Sequence, residues 1–288
     1  MAKIKTELYS FILSRHSIRA FKPQPLNLED QDRVKKILTT IIPLIPENEF
    51  IVISKNHSKE EDLVETLGAY GRFIIPPHYL IPYILGSQFP LVDLGYRIEQ
   101  IAVHLWEMGI GCCYIGCLSR EEKVRKLFEL PAFSRIGAFL VYGYPGSSSG
   151  LQKITNNIKT LKRNANRKPI NELFFRDDFD HPENPPDSLV KILEAARMAP
   201  SAVNAQPWRF ILHGERLYLF VTRNNRKYFL PENENYCFFD AGICMSNISL
   251  AMASLGIQGK WDLLDQNDSS IPDHPMNLDP VARLMINE

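Results

Sequence analysis

The amino-acid sequence predicts an α+β protein built from two related halves, and three observations carry that reading. Asp93-Leu94-Gly95 opens a helical stretch that stops near Gly109, and Asp240-Ala241-Gly242 opens another that stops near Gly256, 147 residues later at both ends. Upstream, Lys36-Ile37-Leu38 precedes an apolar strand at Phe50-Ile51-Val52-Ile53, and Lys191-Ile192-Leu193 precedes Phe210-Ile211-Leu212, at offsets of 155 and 160. The second half therefore carries an insertion between helix and strand. Finally, helices and successive strands alternate too irregularly for a βαβ array, which points to mixed sheets flanked by helices.

The elements follow in order. The first half predicts helix 28–41, strand 50–54, helix 59–69, strand 79–84, helix 93–109, a strand or loop at 112–117, helix 120–129 and strand 136–143. The second half predicts helix 186–198, strands 208–213 and 217–221, helix 240–255 and a last strand near 281–286. Each long helix has an aspartate at its start, where a carboxylate suits the free N–H groups, and a glycine at its stop. The 93–109 stretch reads as amphipathic, with Ile98, Ile101, Ala102, Leu105 and Met108 at helical spacing. The 240–255 stretch is apolar on nearly every face, with no charge between Asp240 and Lys260, which marks a buried helix. The connector lies between Pro145 and Pro186, from the small-residue run 146–150 to the acidic, proline-rich run 177–186. The domains expected are 1–168 and 169–288.

Composition narrows the function. With 45% apolar and 23% charged residues, the 288-residue chain is ordinary globular protein. Lys+Arg and Asp+Glu both number 33, so no basic excess points to nucleic acid and no acidic excess to a basic partner. No run of 18 apolar residues predicts a membrane span, and the N-terminus lacks the pattern of a signal peptide. Five cysteines, odd in number and sparse, argue against a disulfide framework and for a reducing compartment, the cytoplasm by default.

Two constellations carry chemistry. Arg15-His16-Ser17-Ile18-Arg19 packs cations and a hydroxyl into five residues, a set that suits a phosphate monoester. On those residues alone a solvated basic turn is the alternative. Pro200-Ser201-Ala202-Val203-Asn204-Ala205-Gln206-Pro207-Trp208 follows a helix, and its small residues let a planar ligand approach the backbone. Asn204 and Gln206 offer paired donors and acceptors for a heterocycle edge. A helix-terminating loop anchored by Trp208 would read the same way. Gly109, Gly111 and Gly116 do not form a dinucleotide fingerprint. Cys112, Cys113 and Cys117 lack a second ligand pair, so no metal site is expected. No Gly-x-Ser-x-Gly elbow supports a serine hydrolase.

Taken together, the two motifs resemble those of the FMN-dependent nitroreductase family. Further matches are 109–117, Gly143-Tyr144-Pro145 and Arg167-Lys168-Pro169. The resemblance spans nearly the whole chain and implies a nitroreductase-like fold. The common member is a homodimer with two FMN sites, each drawing on both subunits. Here the first half keeps the basic motif but has Ile41-Ile42-Pro43-Leu44-Ile45-Pro46 where the Ser/Asn/Gln loop should stand. The second half keeps that loop, but its counterpart of the basic motif, 170–175, has no cation. The chain thus resembles the fused, single-chain branch, an internal pseudo-dimer with one FMN site retained. The resemblance implies phosphate contacts from 1–168 and the flavin loop from 169–288.

Carried over by residue, the resemblance assigns Arg15, His16, Ser17 and Arg19 to the phosphate and nearby oxygens, with Arg167 and Lys168 closing on it. Arg72 falls near the pyrimidine edge. Tyr114, Ile115, Gly116 and Cys117 lie along the flavin, with a backbone N–H around Gly116 reaching N5. Pro200, Ser201, Ala202 and Asn204 come from the other half, with Gln206 nearby. The family often has glycine where Cys117 stands, and Gly259-Lys260-Trp261-Asp262 has lost the second half's version of the pattern. The implied activity passes hydride from NAD(P)H through FMN to a small acceptor such as a nitroaromatic or quinone. No side chain stands out as acid or base. A pseudo-dimer predicts a monomer in solution. The alternatives are an FMN-binding storage or sensor protein without turnover, and a cofactor-free structural relative.

Overall fold

The computed structural model describes residues 2–58, 61–146, 166–223, 235–265 and 267–287. In chain order its elements are α1 (Ala2–Ser14), α2 (Leu28–Leu38), β1 (Glu49–Asn56), α3 (Leu63–Leu67), β2 (His78–Leu85), α4 (Pro90–Glu107), β3 (Gly111–Gly116), α5 (Glu121–Leu127) and β4 (Ala138–Gly143). There follow β5 (Phe174–Arg176), α6 (Asp187–Met198), β6 (Trp208–His213), β7 (Arg216–Thr222), α7 (Cys237–Leu255), β8 (Gln258–Leu263) and β9 (Leu278–Asn287). The 147–165 part of the expected connector and the first two residues of the expected 59–69 helix lie outside the described residues.

The chain divides into two compact units, Arg15–Thr160 and Met1–Ser14 with Leu161–Glu288. In the first, four antiparallel strands are ordered β1-β2-β4-β3. Asn27 caps α2 by accepting the Asp30 N–H at 2.7 Å, and Glu29, Asp30, Lys35 and Lys36 complement the helix dipole. The expected helix 59–69 shortens to α3 because Gly68, at φ 68°, ends it; a 3-10 turn, Gly68–Arg72, follows. One face of the sheet packs Tyr79, Ile81, Cys113, Ile115, Phe139 and Val141 against Leu63, Leu67 and Val124.

The second unit has the order β5-β6-β7-β9-β8, with β5 parallel to β6 and the other pairs antiparallel. Without β5, this is the order of the first sheet. The helices α4 and α7 begin at Pro90 and Cys237, and the strands β3 and β8 at Gly111 and Gln258, both pairs 147 residues apart. The repeat read from the sequence is therefore a repeat of structure, and each unit is a sheet flanked by helices.

Three elements are additions to the sequence reading: α1, β5 and β8. Helix α1 precedes the basic motif in sequence but belongs to the second unit, whereas the boundary expected at 168 assigns it to the first half. It packs against α6 and α7. Its Tyr9 N–H donates to Ser254 Oγ at 3.1 Å, its Tyr9 hydroxyl donates to Lys191 O at 3.0 Å, and Ile12 is buried.

Helix α4 departs from its amphipathic reading. Asp93, Arg97, Glu99 and Gln100 are buried along with the apolar stripe. They tolerate burial because Arg97 pairs with Asp93 at 2.8 Å, Gln100 bonds both polar groups of Ile42, and Glu99 faces Arg15. Helix α7 is buried as expected. By length and composition it could cross a membrane, yet it is mostly buried, Asp240, Ser246 and Asn247 included.

Candidate functional site

The two constellations lie in different units and are built differently. Residues 18–22 run beside β3 and the end of β4. Ile18 N–H donates to Cys112 O, Lys22 N–H to Tyr144 O, and Gly146 N–H returns to Ala20 O, each at 2.9 Å. Gly111 permits this approach, since a Cβ there would stand 2.6 Å from Ile18 Cγ1. His16 sets its ring edge-on to Trp106 of α4, with centroids 4.7 Å apart.

Arg15, Ser17 and Arg19 alternate with these residues and differ in surroundings. Arg15 is 2% exposed, its Nε 3.2 Å from Glu99 Oε1. Glu99 Oε2 accepts the Tyr114 hydroxyl at 2.6 Å. Burial pushes the Tyr114 hydroxyl pKa well above its ordinary value, and Glu99 adds to the shift. Burial also pushes the neighbouring Cys112 thiol up to about 12. Arg15 stays firmly charged, because Glu99 and its neighbours more than offset the effect of burial. Its Nη1 is buried without a hydrogen-bond partner. Ser17 is half-buried and Arg19 exposed, and both side chains reach the Cys113 thiol. That thiol is raised by burial, against the opposing pull of Arg19 and Ser17.

The remaining candidates of this unit vary. Arg72 is exposed at the end of its 3-10 turn. Ile115 and Cys117 point into the interior, 2% and 1% exposed, and burial raises the Cys117 thiol above its usual range. The Cys117 N–H is engaged by Gly137 O at 2.8 Å. Glu121 holds that turn by accepting the N–H groups of Ile136 and Gly137 at 2.7 and 3.0 Å. Gly116, the last residue of β3, is the exposed one of the four.

In the second unit the loop after α6 carries backbone strain. Val203, Asn204 and Gln206 all have positive φ, at 47°, 55° and 49°. For a β-branched valine that conformation is an outlier, and Val203 leaves its side chain 59% exposed. The loop is pinned by Asp240, both of whose carboxylate oxygens accept the Ala202 N–H, at 3.2 and 3.1 Å. Ser201 Oγ accepts the Gln206 N–H at 2.9 Å.

The side chains of Asn204 and Gln206 are turned to residues 166–168. Arg167 donates to Asn204 Oδ1 at 3.0 Å and to Met198 O at 3.1 Å. Gln206 Oε1 accepts the Lys168 N–H at 2.8 Å, and both amide NH2 groups donate to Asn166 O. The paired amides read as a heterocycle edge thus hold the Arg167 segment in place. Pro200, Ser201 and Ala202 present their half-buried surfaces beside it.

Sequence reasoning missed Glu99, Asp240's hold on the loop and Glu121. A signal for Glu99 was present: a carboxylate set among Ile98, Ile101 and Ala102 of one helix.

The duplicated sheet and helix order, with a basic segment beside β3, defines a nitroreductase-like α+β fold. The family described as "Putative TM nitroreductase" matches residues 7–261, and the chain belongs to it. Among solved structures, a "putative nitroreductase" from Thermotoga maritima matches with a TM-score of 0.56 at 18% identity, covering 98% of this chain and 94% of that one. An FMN-dependent nitroreductase from Clostridium difficile matches at 18% identity over 48% of this chain and 88% of its own, with a TM-score of 0.41. Nitroreductase A from Vibrio parahaemolyticus matches at 19% identity over 56% and 86%, with a TM-score of 0.42. No curated protein matches.

Proposed function

We propose that this protein is an FMN-dependent oxidoreductase that takes hydride from NAD(P)H and delivers it to a small organic acceptor such as a nitroaromatic or quinone. The observation that carries the proposal is the donor set of the basic segment. A buried guanidinium nitrogen lacks an acceptor, with a half-buried hydroxyl and an exposed guanidinium two and four residues on. Buried donors are rarely left unmet, so the set fits an oxygen-rich anionic ligand.

Arg15, His16, Ser17 and Arg19 would hold the phosphate and nearby oxygens, with Arg167 and Lys168 as further cations. Arg72 would stand at the pyrimidine edge, where a cation favours the anionic reduced ring. Tyr114, Ile115 and Cys117 would contribute backbone, and Gly116 an open surface without a Cβ. Pro200, Ser201, Ala202 and Asn204 would offer the flat approach a ring needs. Bound FMN would supply the hydride chemistry itself. We assign no side chain as acid or base. The same reading makes the protein a cytoplasmic monomer carrying one FMN per chain.

The test is the visible spectrum of the purified protein, with flavin released and counted, followed by anaerobic addition of NADH or NADPH. One FMN per chain, bleached by a nicotinamide and reoxidised by a quinone, is expected. FMN that no reductant bleaches would mean a storage or sensor protein, and no FMN after incubation would remove the cofactor.

A further inference from the structure

We infer that the outer edge of β1 is an interaction surface, and that its partner is β1 of a second copy of this chain, paired antiparallel about Val52. The inference is independent of the flavin reading.

The edge is long and open. β1 and β6 hold the same place in the two sheet orders, and an offset of 160 aligns Phe50 with Phe210. On β6 that edge is filled by β5: Phe210 N–H donates to Leu173 O at 2.7 Å, and Leu212 O accepts the Asp177 N–H at 2.9 Å. Among the described residues β1 pairs with β2 alone. Just past its end, His57 N–H donates to Pro77 O at 3.0 Å. In steps of two from that pair, residues 55, 53, 51 and 49 bond β2, so the N–H and C=O groups of Phe50, Val52 and Ser54 point outward. Proteins usually blunt such an edge with proline, a bulge or a central charge. β1 runs eight residues in unbroken register with β2, has no proline, and keeps its charges to Glu49 and Lys55 near its ends.

Charge and side-chain pattern select the occupant. With Val52 opposite the partner's Val52, Phe50 and Ser54 meet the partner's Ser54 and the partner's Phe50, and every outward N–H and C=O between them is satisfied. Glu49 then falls opposite the partner's Lys55, and Lys55 opposite the partner's Glu49. Both charges are exposed, and neither is in an ion pair among the described residues. Between them Ile51 and Ile53 stand opposite the partner's Ile53 and the partner's Ile51. They do so on the sheet face where Ile53 packs against Tyr79, Ile81 and Val141. Opposite charges and β-branched pairs directly across from each other stabilise paired strands. One register provides both, and its two-fold symmetry makes the edge complementary to itself.

A contact of one strand pair falls below the roughly 1,200 Å² of stable interfaces, so the chain is the proposed monomer when dilute and pairs only when concentrated. Sedimentation equilibrium of the purified protein from about 1 μM to about 1 mM is expected to show monomer passing to dimer. Val52→Pro removes the central outward donor and no bond to β2. It is expected to abolish the dimer and leave the thermal midpoint in place. Lys55→Glu sets like charges across both ends and should weaken the dimer by about tenfold. Glu49→Lys combined with Lys55→Glu should restore it, and this pair of variants carries the test if the proline variant misfolds.

Monomer throughout the range overturns the inference and leaves the edge to an extended segment of another protein, set parallel as β5 is on β6. A dimer that survives Val52→Pro in folded protein overturns it by placing the contact elsewhere. A dimer that the charge exchange fails to restore overturns the pairing about Val52.

Discussion

The two units share a scaffold and differ in what they do with it. In each, the fourth residue of the long helix is an aspartate that captures a loop, the one after α2 in the first unit and the one after α6 in the second. Asp93 accepts the N–H groups of Leu44 and Ile45 at 3.0 and 3.4 Å, and Asp240 accepts that of Ala202. Two helix turns further on, Gln100 and Asn247 bond backbone carbonyls, those of Ile42 and Ala195. Around Asp93 the first unit adds structure: Arg97 pairs with it and also donates to Ile45 O and Asn48 O at 2.7 and 3.0 Å. The second unit has Cys244 where Arg97 would recur, and its loop is strained and carries the Arg167 clamp. One copy of the node is braced by a buried ion pair, and the other holds a strained loop.

The largest expected effect tests that division. Asp93→Ala leaves the Arg97 guanidinium buried without its carboxylate, which costs about 3–5 kcal/mol. Asp240→Ala removes the acceptors of the Ala202 N–H and should cost about 1–3 kcal/mol. Equal losses in urea unfolding would erase the distinction between the nodes.

Next is the clamp. Gln206 is buried and its amide ties Lys168 N–H and Asn166 O. Gln206→Ala should cost about 1–2 kcal/mol and speed amide exchange at Lys168. Unchanged exchange there would mean that the segment holds itself. Smaller still, Val203→Gly should stabilise the protein by about 1 kcal/mol. Relief of a left-handed β-branched residue outweighs the added chain entropy, and an exposed side chain loses little burial. A loss of stability on denaturant titration would show that Val203 packs on something it needs.

How much of this was legible in the sequence depends on where each signal lay. The 147-residue repeat and the main strands were written in local pattern, and 208–213 matches β6 to the residue. Helix α1 was not read, because its apolar residues are interrupted by charge and its partners, Lys191 and Ser254, lie far along the chain. Strand β8 was not read, since Gly259 and Lys260 offer no apolar run, yet an antiparallel ladder with β9 holds it. The site motifs were found by residue type, but roles were not. Nothing in the string distinguishes the buried Arg15 from the exposed Arg19, or shows that Asn204 and Gln206 face Arg167, since each depends on a neighbour at least 37 residues away.

The smallest effect is one of pH, and it sharpens the comparison because, among the described residues, the device is in the first unit. His78 opens β2, whereas β7 opens with the exposed Arg216. The buried His78 ring stacks on Tyr142, accepts the Leu26 N–H at Nε2 at 2.8 Å and lies 2.7 Å from Asn56 Oδ1 through Nδ1. An accepting Nε2 leaves Nδ1 as the proton carrier. The bond to Leu26 anchors the link between the basic segment and α2. Burial holds the His78 pKa below its ordinary 6.5, so the folded state prefers the neutral ring. The unfolded chain then binds the proton first as pH falls. Stability is full above pH 6.5 and declines below it, by less than about 1 kcal/mol at pH 6 for a single group. Protonation would also place an N–H against the Leu26 N–H, so the Leu26 protection factor, exchange taken relative to its intrinsic base-catalysed rate, should fall with acidification before those of β6 and β7 respond. In His78→Gln, the Leu26 protection factor should lose that dependence between pH 7.5 and 6. An acid response that persists in the variant would move the titrating group elsewhere in the chain.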